Sequence, residues 1–179
     1  MSGCSGSAAQ NEPSLSAGDE PSAKILLVGE YHGVDWIYNR EFEKWSGYYG
    51  GDGMRHLFLE TPYFTAALLN VWMKSEDDAI LDAIYEDWDG TADHNQHKYD
   101  FFKRIKEECP ETVFHGVDVG HQYFSIGERY LTYLSDAGQG GGEEYRLAEE
   151  AITQGKTYYG YESSADADSY REEIMAKNF

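Results

Sequence analysis

Three short runs of apolar residues in the chain predict β-strands, and each run ends at an acidic side chain. The first run is the clearest, because four branched apolar residues in a row are typical of a strand that is buried on both faces of a parallel sheet. The runs with their acids are residues 25–28 with Glu30, residues 56–59 with Glu60, and residues 112–117 with Asp118. In open α/β sheets, ligands bind beyond the carboxyl ends of the strands. The three acids therefore predict a carboxylate-lined pocket at that edge of the sheet.

Apolar residues between and after these runs recur at the spacing of an α-helix. A strand–helix–strand unit places its two strands parallel and close together. Three helices between the second and third strands are more than a crossover needs, so they predict a helical insertion beside the sheet. The predicted fold class is α/β, with a parallel or mostly parallel sheet flanked by helices. The predicted helices are 34–45, 62–72, 80–88, 94–105 with Asp93 as N-cap, 123–134, 143–154, and 170–179 after a capping box of Ser169 and Glu172.

The chain is expected to divide into a tether and one domain. Residues 1–22 are rich in Ser, Gly, Ala and acidic residues and are too polar to form a core, so we expect a flexible tether. Residues 23–179 form the predicted α/β domain. Its apolar pattern runs to Phe179 without a helix stop signal, which predicts a domain that is incomplete at its C-terminus.

The net charge of the chain limits the classes of molecule that it is expected to bind. The 179 residues include 33 acidic and 14 basic side chains, which give a net charge of −19. A protein that binds a phosphate backbone needs a cluster of Lys and Arg, so no nucleic-acid partner is expected. No apolar run approaches the roughly 18 residues that a membrane span requires. The pocket is therefore predicted to take a small-molecule substrate, and the sequence leaves the oligomeric state open.

The tether carries a candidate lipid attachment site. Small residues surround Cys4, and a Ser, Gly and acidic tether follows it, as at the end of a bacterial lipoprotein signal. This interpretation predicts an extracytoplasmic protein that meets the bacterial cell membrane only through acyl chains on Cys4. The alternative is a plain flexible N-terminus, because the hydrophobic part of a signal would have to lie upstream of Met1. In that case we expect a cytoplasmic protein.

Two histidines accompany the acids at the predicted strand ends. Glu30 follows a buried strand and stands two positions before His32, and a helix cap would explain the acid but not the imidazole beside it. These two residues are therefore the first candidates for a catalytic or metal-binding role. Glu60 has the alternative role of stabilising a helix start through the helix dipole. Asp118 and His121 fit a helix cap with a first-turn residue as well as they fit a site.

Four motifs follow one another along the chain: Gly-Glu-Tyr-His-Gly at 29–33, Leu59-Glu60 with the helix 66–70, Gly116-Val117-Asp118, and the segment 171–178. Together they resemble the superfamily that unites erythromycin esterases, ChaN-type haem-uptake lipoproteins and TraB/TIKI proteins, and the resemblance implies the N-terminal part of an EreA/ChaN-like fold. A single residue, Tyr31, separates Glu30 from His32, as in the ChaN branch, whereas the esterase motif usually has two.

The resemblance also implies roles for individual residues. His32 would be the general base that activates water, and Glu30 would orient it or hold a metal. Glu60 and Asp118 would shape and charge the pocket. Arg171 would bind or polarise a substrate oxygen, since a positive group stabilises a developing oxyanion. The implied activity is a hydrolase that acts on an ester or amide bond.

The sequence is compatible with two kinds of cofactor. A divalent metal held by Glu30, His32 and Glu60 would activate water in place of a metal-free base. Tyr31 and His121 would line the pocket in either case. The alternative function is that of a haem- or iron-binding lipoprotein of the ChaN type, in which a tyrosine or histidine holds the haem.

Overall fold

The computed structural model describes residues 25–29 and 34–179. The chain divides into two units at residue 30, and the larger unit is residues 31–179. The larger unit is rich in helix and contains one small parallel sheet, so the coarse α/β class is confirmed. Its elements are α1 (Asp35–Gly51), β1 (His56–Pro62), α2 (Tyr63–Trp72), α3 (Ala79–Asp87), α4 (Gln96–Glu108), β2 (Val113–Asp118), a π-helical turn (Tyr123–Gly127), α5 (Glu128–Asp136), α6 (Glu143–Tyr158) and α7 (Ser164–Asn178).

The two strands run parallel, as predicted for strands that are joined through helices. Leu57 lies opposite Phe114, and Leu59 lies opposite Gly116. A side chain at Gly116 would overlap the backbone of residues 61–62, so a glycine allows β1 and β2 to approach at this point. Because both strands point the same way, their carboxyl ends meet at one edge of the sheet.

A side-chain amide takes the place of a further strand along the outer edge of β2. The Nδ2 group of Asn70 donates to the carbonyl oxygen of Phe114 at 2.8 Å, and its Oδ1 accepts from the Phe114 N–H, also at 2.8 Å. Asn70 lies in α2, which packs against β2. The pair of bonds satisfies one donor and one acceptor that a strand edge otherwise leaves open.

The prediction of a buried strand at residues 25–28 is wrong. These residues have no regular secondary structure, and their side chains are between 46% exposed at Leu26 and 84% exposed at Leu27. An apolar run indicates a tendency to be buried, but a strand also needs a backbone partner. In the described part of the chain, the sheet consists of β1 and β2 alone.

Two predicted helix starts are also wrong, each by a few residues. Asn95, not Asp93, caps α4, and its side chain accepts a bond from the N–H of His97 at 2.8 Å. Asp93 instead pairs with Lys98 at 2.6 Å. The last helix starts at residue 164 rather than at a capping box from Ser169, because the alanines before that serine favour a helix and an acid in the first turn complements the helix dipole.

The core lies where α2 and α4 meet the sheet and the neighbouring helices. Helix α2 packs on β2, and α1 packs on α4. No described helix has the length and apolar character that crossing a membrane would require. The largest fully buried side chains are Phe64, Leu69, Trp72, Leu81, Ile84, Trp88, Phe102, Ile105, Phe114, Val119, Ile126 and Leu134.

Candidate functional site

The candidate site is built around the carboxylate of Asp118, the last residue of β2. This residue is only 1% exposed. Its Oδ1 accepts from the N–H of Val119 at 2.8 Å and from Nε of Arg171, also at 2.8 Å. Its Oδ2 accepts from Nη2 of Arg171 at 2.6 Å and lies 3.3 Å from Nε2 of His121. Both oxygens of the buried acid are therefore held by charged or polar partners, as a buried charge requires.

Arg171 connects the ends of both strands to α7. Its guanidinium binds Asp118 through two parallel hydrogen bonds, and its Nη2 lies 3.5 Å from Oε2 of Glu60 in β1. The Glu60 side chain is 44% exposed, whereas that of Asp118 is 2% exposed. The guanidinium thus faces a half-exposed carboxylate on one side and a buried one on the other. The bidentate pair with Asp118, together with the contact to Glu60, fixes where α7 meets the sheet edge.

His121 stands between Asp118 and a tyrosine. Its Nε2 faces the Asp118 carboxylate, and its Nδ1 lies 2.7 Å from the hydroxyl of Tyr159. The edges of the Tyr158 and Tyr159 rings meet the imidazole at 5.3 and 5.7 Å between ring centres. Because a carboxylate accepts from Nε2–H, the neutral imidazole keeps its proton there and presents an unprotonated Nδ1 to Tyr159.

The surroundings shift the pKa values of three groups in this network, Asp118, Arg171 and Tyr159. Burial alone would raise the pKa of Asp118, but hydrogen bonds and charge from His121 and Arg171 lower it to about 2. The hydrogen bond to Asp118 raises the pKa of Arg171. Burial and the neighbouring Tyr158 and Asp118 raise the pKa of Tyr159, so its hydroxyl stays protonated at neutral pH.

Close backbone contact between α6 and the loop after β2 holds His121 in place. A Cβ on Gly120 would overlap the carbonyl oxygen of Ala151, and a Cβ on Gly155 would overlap the carbonyl oxygen of Gly120. Gln122 then adopts a left-handed conformation, with φ of 52°, and starts the π-helical turn. Such conformations are uncommon for residues with a side chain, and π-helical turns occur frequently at functional sites.

The structure brings together four of the residues that the sequence predicts for the site. Glu60, Asp118, His121 and Arg171 form one network of ion pairs and hydrogen bonds. The other predicted residues, Cys4, Glu30, Tyr31 and His32, lie outside the described residues.

Tyr159 is the member of the network that the sequence did not predict. It lies 38 positions after His121 along the chain. The only signal for it in the sequence is the segment 158–161, which begins at the last residue of α6 and contains three tyrosines and a glycine. Spacing in the sequence does not reveal a contact that depends on how α6 packs.

The described residues give limited support for a cofactor. They contain no group of three or more His, Cys, Asp or Glu side chains that would hold a metal ion. Of the three predicted metal ligands only Glu60 is described, and it faces the guanidinium of Arg171. Tyr63 and Tyr130 are among the residues that line a groove of about 940 Å³. Burial raises the pKa of both tyrosines, which works against a tyrosinate ligand.

Comparison of the chain with protein-family models, with curated proteins and with solved structures finds no match. The resemblance to the esterase and ChaN superfamily therefore stays a prediction that is based on the motifs in the sequence.

Proposed function

We propose that this protein is a hydrolase that cleaves an ester or amide bond in a small molecule, with His121 as the base that activates water. The observation that supports the proposal most strongly is the chain from Asp118 to His121 to Tyr159. A buried carboxylate that orients a histidine, which in turn contacts a hydroxyl, is the arrangement that general base catalysis uses.

The proposed reaction begins with proton transfer through Tyr159. This residue is 55% exposed, and its hydroxyl lies 2.7 Å from Nδ1 of His121. The hydroxyl gives its proton to Nδ1 of His121 and takes one from a water molecule as the water oxygen attacks the carbonyl carbon. The electron pair of the carbonyl π bond moves onto its oxygen. Asp118 stabilises the imidazolium that forms, because its pKa keeps it ionised at neutral pH.

The second step returns the proton. The tetrahedral oxyanion collapses, the bond to the leaving oxygen or nitrogen breaks, and the leaving group takes the proton that His121 holds. Arg171 has five N–H donors; it uses two of them on Asp118, and its Nη2 also lies 3.5 Å from Glu60. Its remaining donors would face the oxyanion, which is the role that the superfamily resemblance implies.

His32 is the second candidate for the base, from its position beside Glu30 in the sequence. The two assignments of the base predict different results for a His121 substitution. If His121 is the base, its loss abolishes turnover while the binding of substrate persists. If His32 is the base, substitution of His121 leaves most of the turnover in place.

A hydrolysis assay with matched substitutions tests the proposal. We would measure release of p-nitrophenol from p-nitrophenyl acetate and butyrate by the full chain and by His121→Gln, His32→Gln and His94→Gln. We expect His121→Gln to lower kcat/KM by about 10²-fold or more. His94 contacts Asp89 and the Tyr85 ring, so His94→Gln is the matched control and should keep wild-type activity.

Melting temperatures of the variants separate loss of chemistry from loss of fold. The proposal requires His121→Gln to melt within a few degrees of the wild type. A wild-type protein that hydrolyses neither ester faster than buffer alone would contradict the hydrolase assignment. If only His32→Gln is inactive, the base is His32 and the assignment of His121 is wrong.

A further inference from the structure

A pair of histidines lies on the sheet apart from the Asp118 network. His56 opens β1, and His115 is the third residue of β2. The Nδ1 atom of His56 lies 2.8 Å from Nε2 of His115. Glu60 lies four positions after His56 along β1, which is about 13 Å at the rise of a β-strand. The pair therefore belongs to a different part of the surface.

We propose that His56 and His115 form a bidentate binding site for a divalent transition-metal ion of the copper type, with water in the remaining positions. The proposal does not depend on the hydrolase assignment. It rests on the short distance between the two ring nitrogens and on the packing that holds the His115 ring. Two imidazoles are ligands that copper, nickel and zinc accept in proteins.

The 2.8 Å contact between the rings is a hydrogen bond in which one imidazole donates its N–H to the other. A metal ion would replace the shared proton, and the exposed His56 ring would turn so that both nitrogens face the ion. Two metal–nitrogen bonds of about 2.0 Å that meet at a right angle place their nitrogens about 2.8 Å apart, whereas a tetrahedral angle needs about 3.3 Å. The short separation therefore favours the right angles that are typical of tetragonal copper(II) and nickel(II), and copper(II) binds most tightly in this series.

Aromatic contacts hold the His115 ring in position. Phe58 stacks on it at 4.5 Å with an angle of 17° between the ring planes, and Phe179 packs against Phe58 at 4.9 Å. His56 remains exposed, so water and a metal ion reach the pair from solvent. A ligand whose orientation is already fixed loses less entropy on binding.

The local electrostatics favour a bound cation. The net charge of −19 draws cations to the protein surface.

Titration of the untagged full chain with copper(II) sulfate tests the proposal, with electron paramagnetic resonance to count nitrogen ligands and calorimetry to measure affinity. We expect one ion per chain with two nitrogen donors. His56→Ala and His115→Ala should each weaken copper binding by about 10²-fold. Each variant holds the ion through a single imidazole and so loses the gain in affinity that two linked ligands provide. His94→Ala removes an unrelated imidazole and should bind as the wild type does.

Three outcomes would overturn the proposal: equal affinity in all four proteins, a wild-type spectrum with a single nitrogen donor, or affinity for zinc(II) above that for copper(II). Since His115 is half-buried, His56→Ala provides the variant with the smaller risk to folding. Ester hydrolysis by His56→Ala should equal that of the wild type, so failure of the metal site and failure of the hydrolase assignment give different results.

Discussion

Substitution of Asp118 by Asn tests how strongly the buried carboxylate holds the site together. The side chain keeps its shape but loses its charge opposite Arg171. The pKa of Asp118 falls from 3.8 to about 2 in the folded protein. At 1.36 kcal/mol per pKa unit, this shift corresponds to about 2 kcal/mol of stabilisation at neutral pH. Leaving Arg171 without its partner adds to the cost. We therefore expect Asp118→Asn to lower the free energy of unfolding by about 2–4 kcal/mol.

Urea denaturation at several pH values measures this effect. The folded-state pKa of Asp118 is below the unfolded value, so its stabilisation is present above about pH 4 and is lost as the pH falls from about 4 to about 2. The difference between the wild type and Asp118→Asn should shrink over that range. Asp168→Asn, an exposed acid on the same helix as Arg171, is the control and should change stability by less than about 0.5 kcal/mol. A pH-independent difference, or a loss below about 1 kcal/mol, would refute the reasoning.

Three further substitutions, the first with a matched control, test the packing and chemistry around the site. Gly155→Ala should cost about 1–3 kcal/mol in urea denaturation because its Cβ meets the backbone of Gly120, whereas Gly47→Ala in open space on α1 should stabilise by about 0.5–1 kcal/mol. Asn70→Ala should destabilise by about 1–3 kcal/mol, since it leaves an N–H and a carbonyl of β2 unpaired; an unchanged urea midpoint would count against this edge contact. Tyr159→Phe should reduce ester turnover about tenfold or more with little change in melting temperature, and wild-type turnover would exclude the hydroxyl from the proton path.

The parallel strands and the acids at their ends could be predicted from the sequence because they depend on local pattern. The runs at 56–59 and 112–117 are short and apolar, and both became strands that end near an acid. That Glu60 and Asp118 lie at one edge follows from the rule that parallel strands share a carboxyl edge, whereas Arg171 was predicted for the site only through the superfamily resemblance.

The remaining features depend on tertiary contacts that no local pattern contains. Residues 25–28 are as apolar as the two observed strands, but a strand needs a hydrogen-bonded neighbour, and residue types do not supply one. The contact of His121 with Tyr159 requires the close approach of α6 through Gly120 and Gly155. Each glycine taken alone resembles an ordinary loop or helix residue.

The tautomer of His121 tests the central claim most directly, because base catalysis here requires Asp118 to fix the proton on one nitrogen. Nitrogen-15 NMR of the labelled full chain at neutral pH distinguishes the two ring nitrogens. The account predicts a protonated Nε2 and an unprotonated Nδ1 that accepts from Tyr159, and a mixture of tautomers in Asp118→Asn. A proton on Nδ1 in the wild type would contradict it, since that nitrogen would then be unable to accept a proton from the Tyr159 hydroxyl.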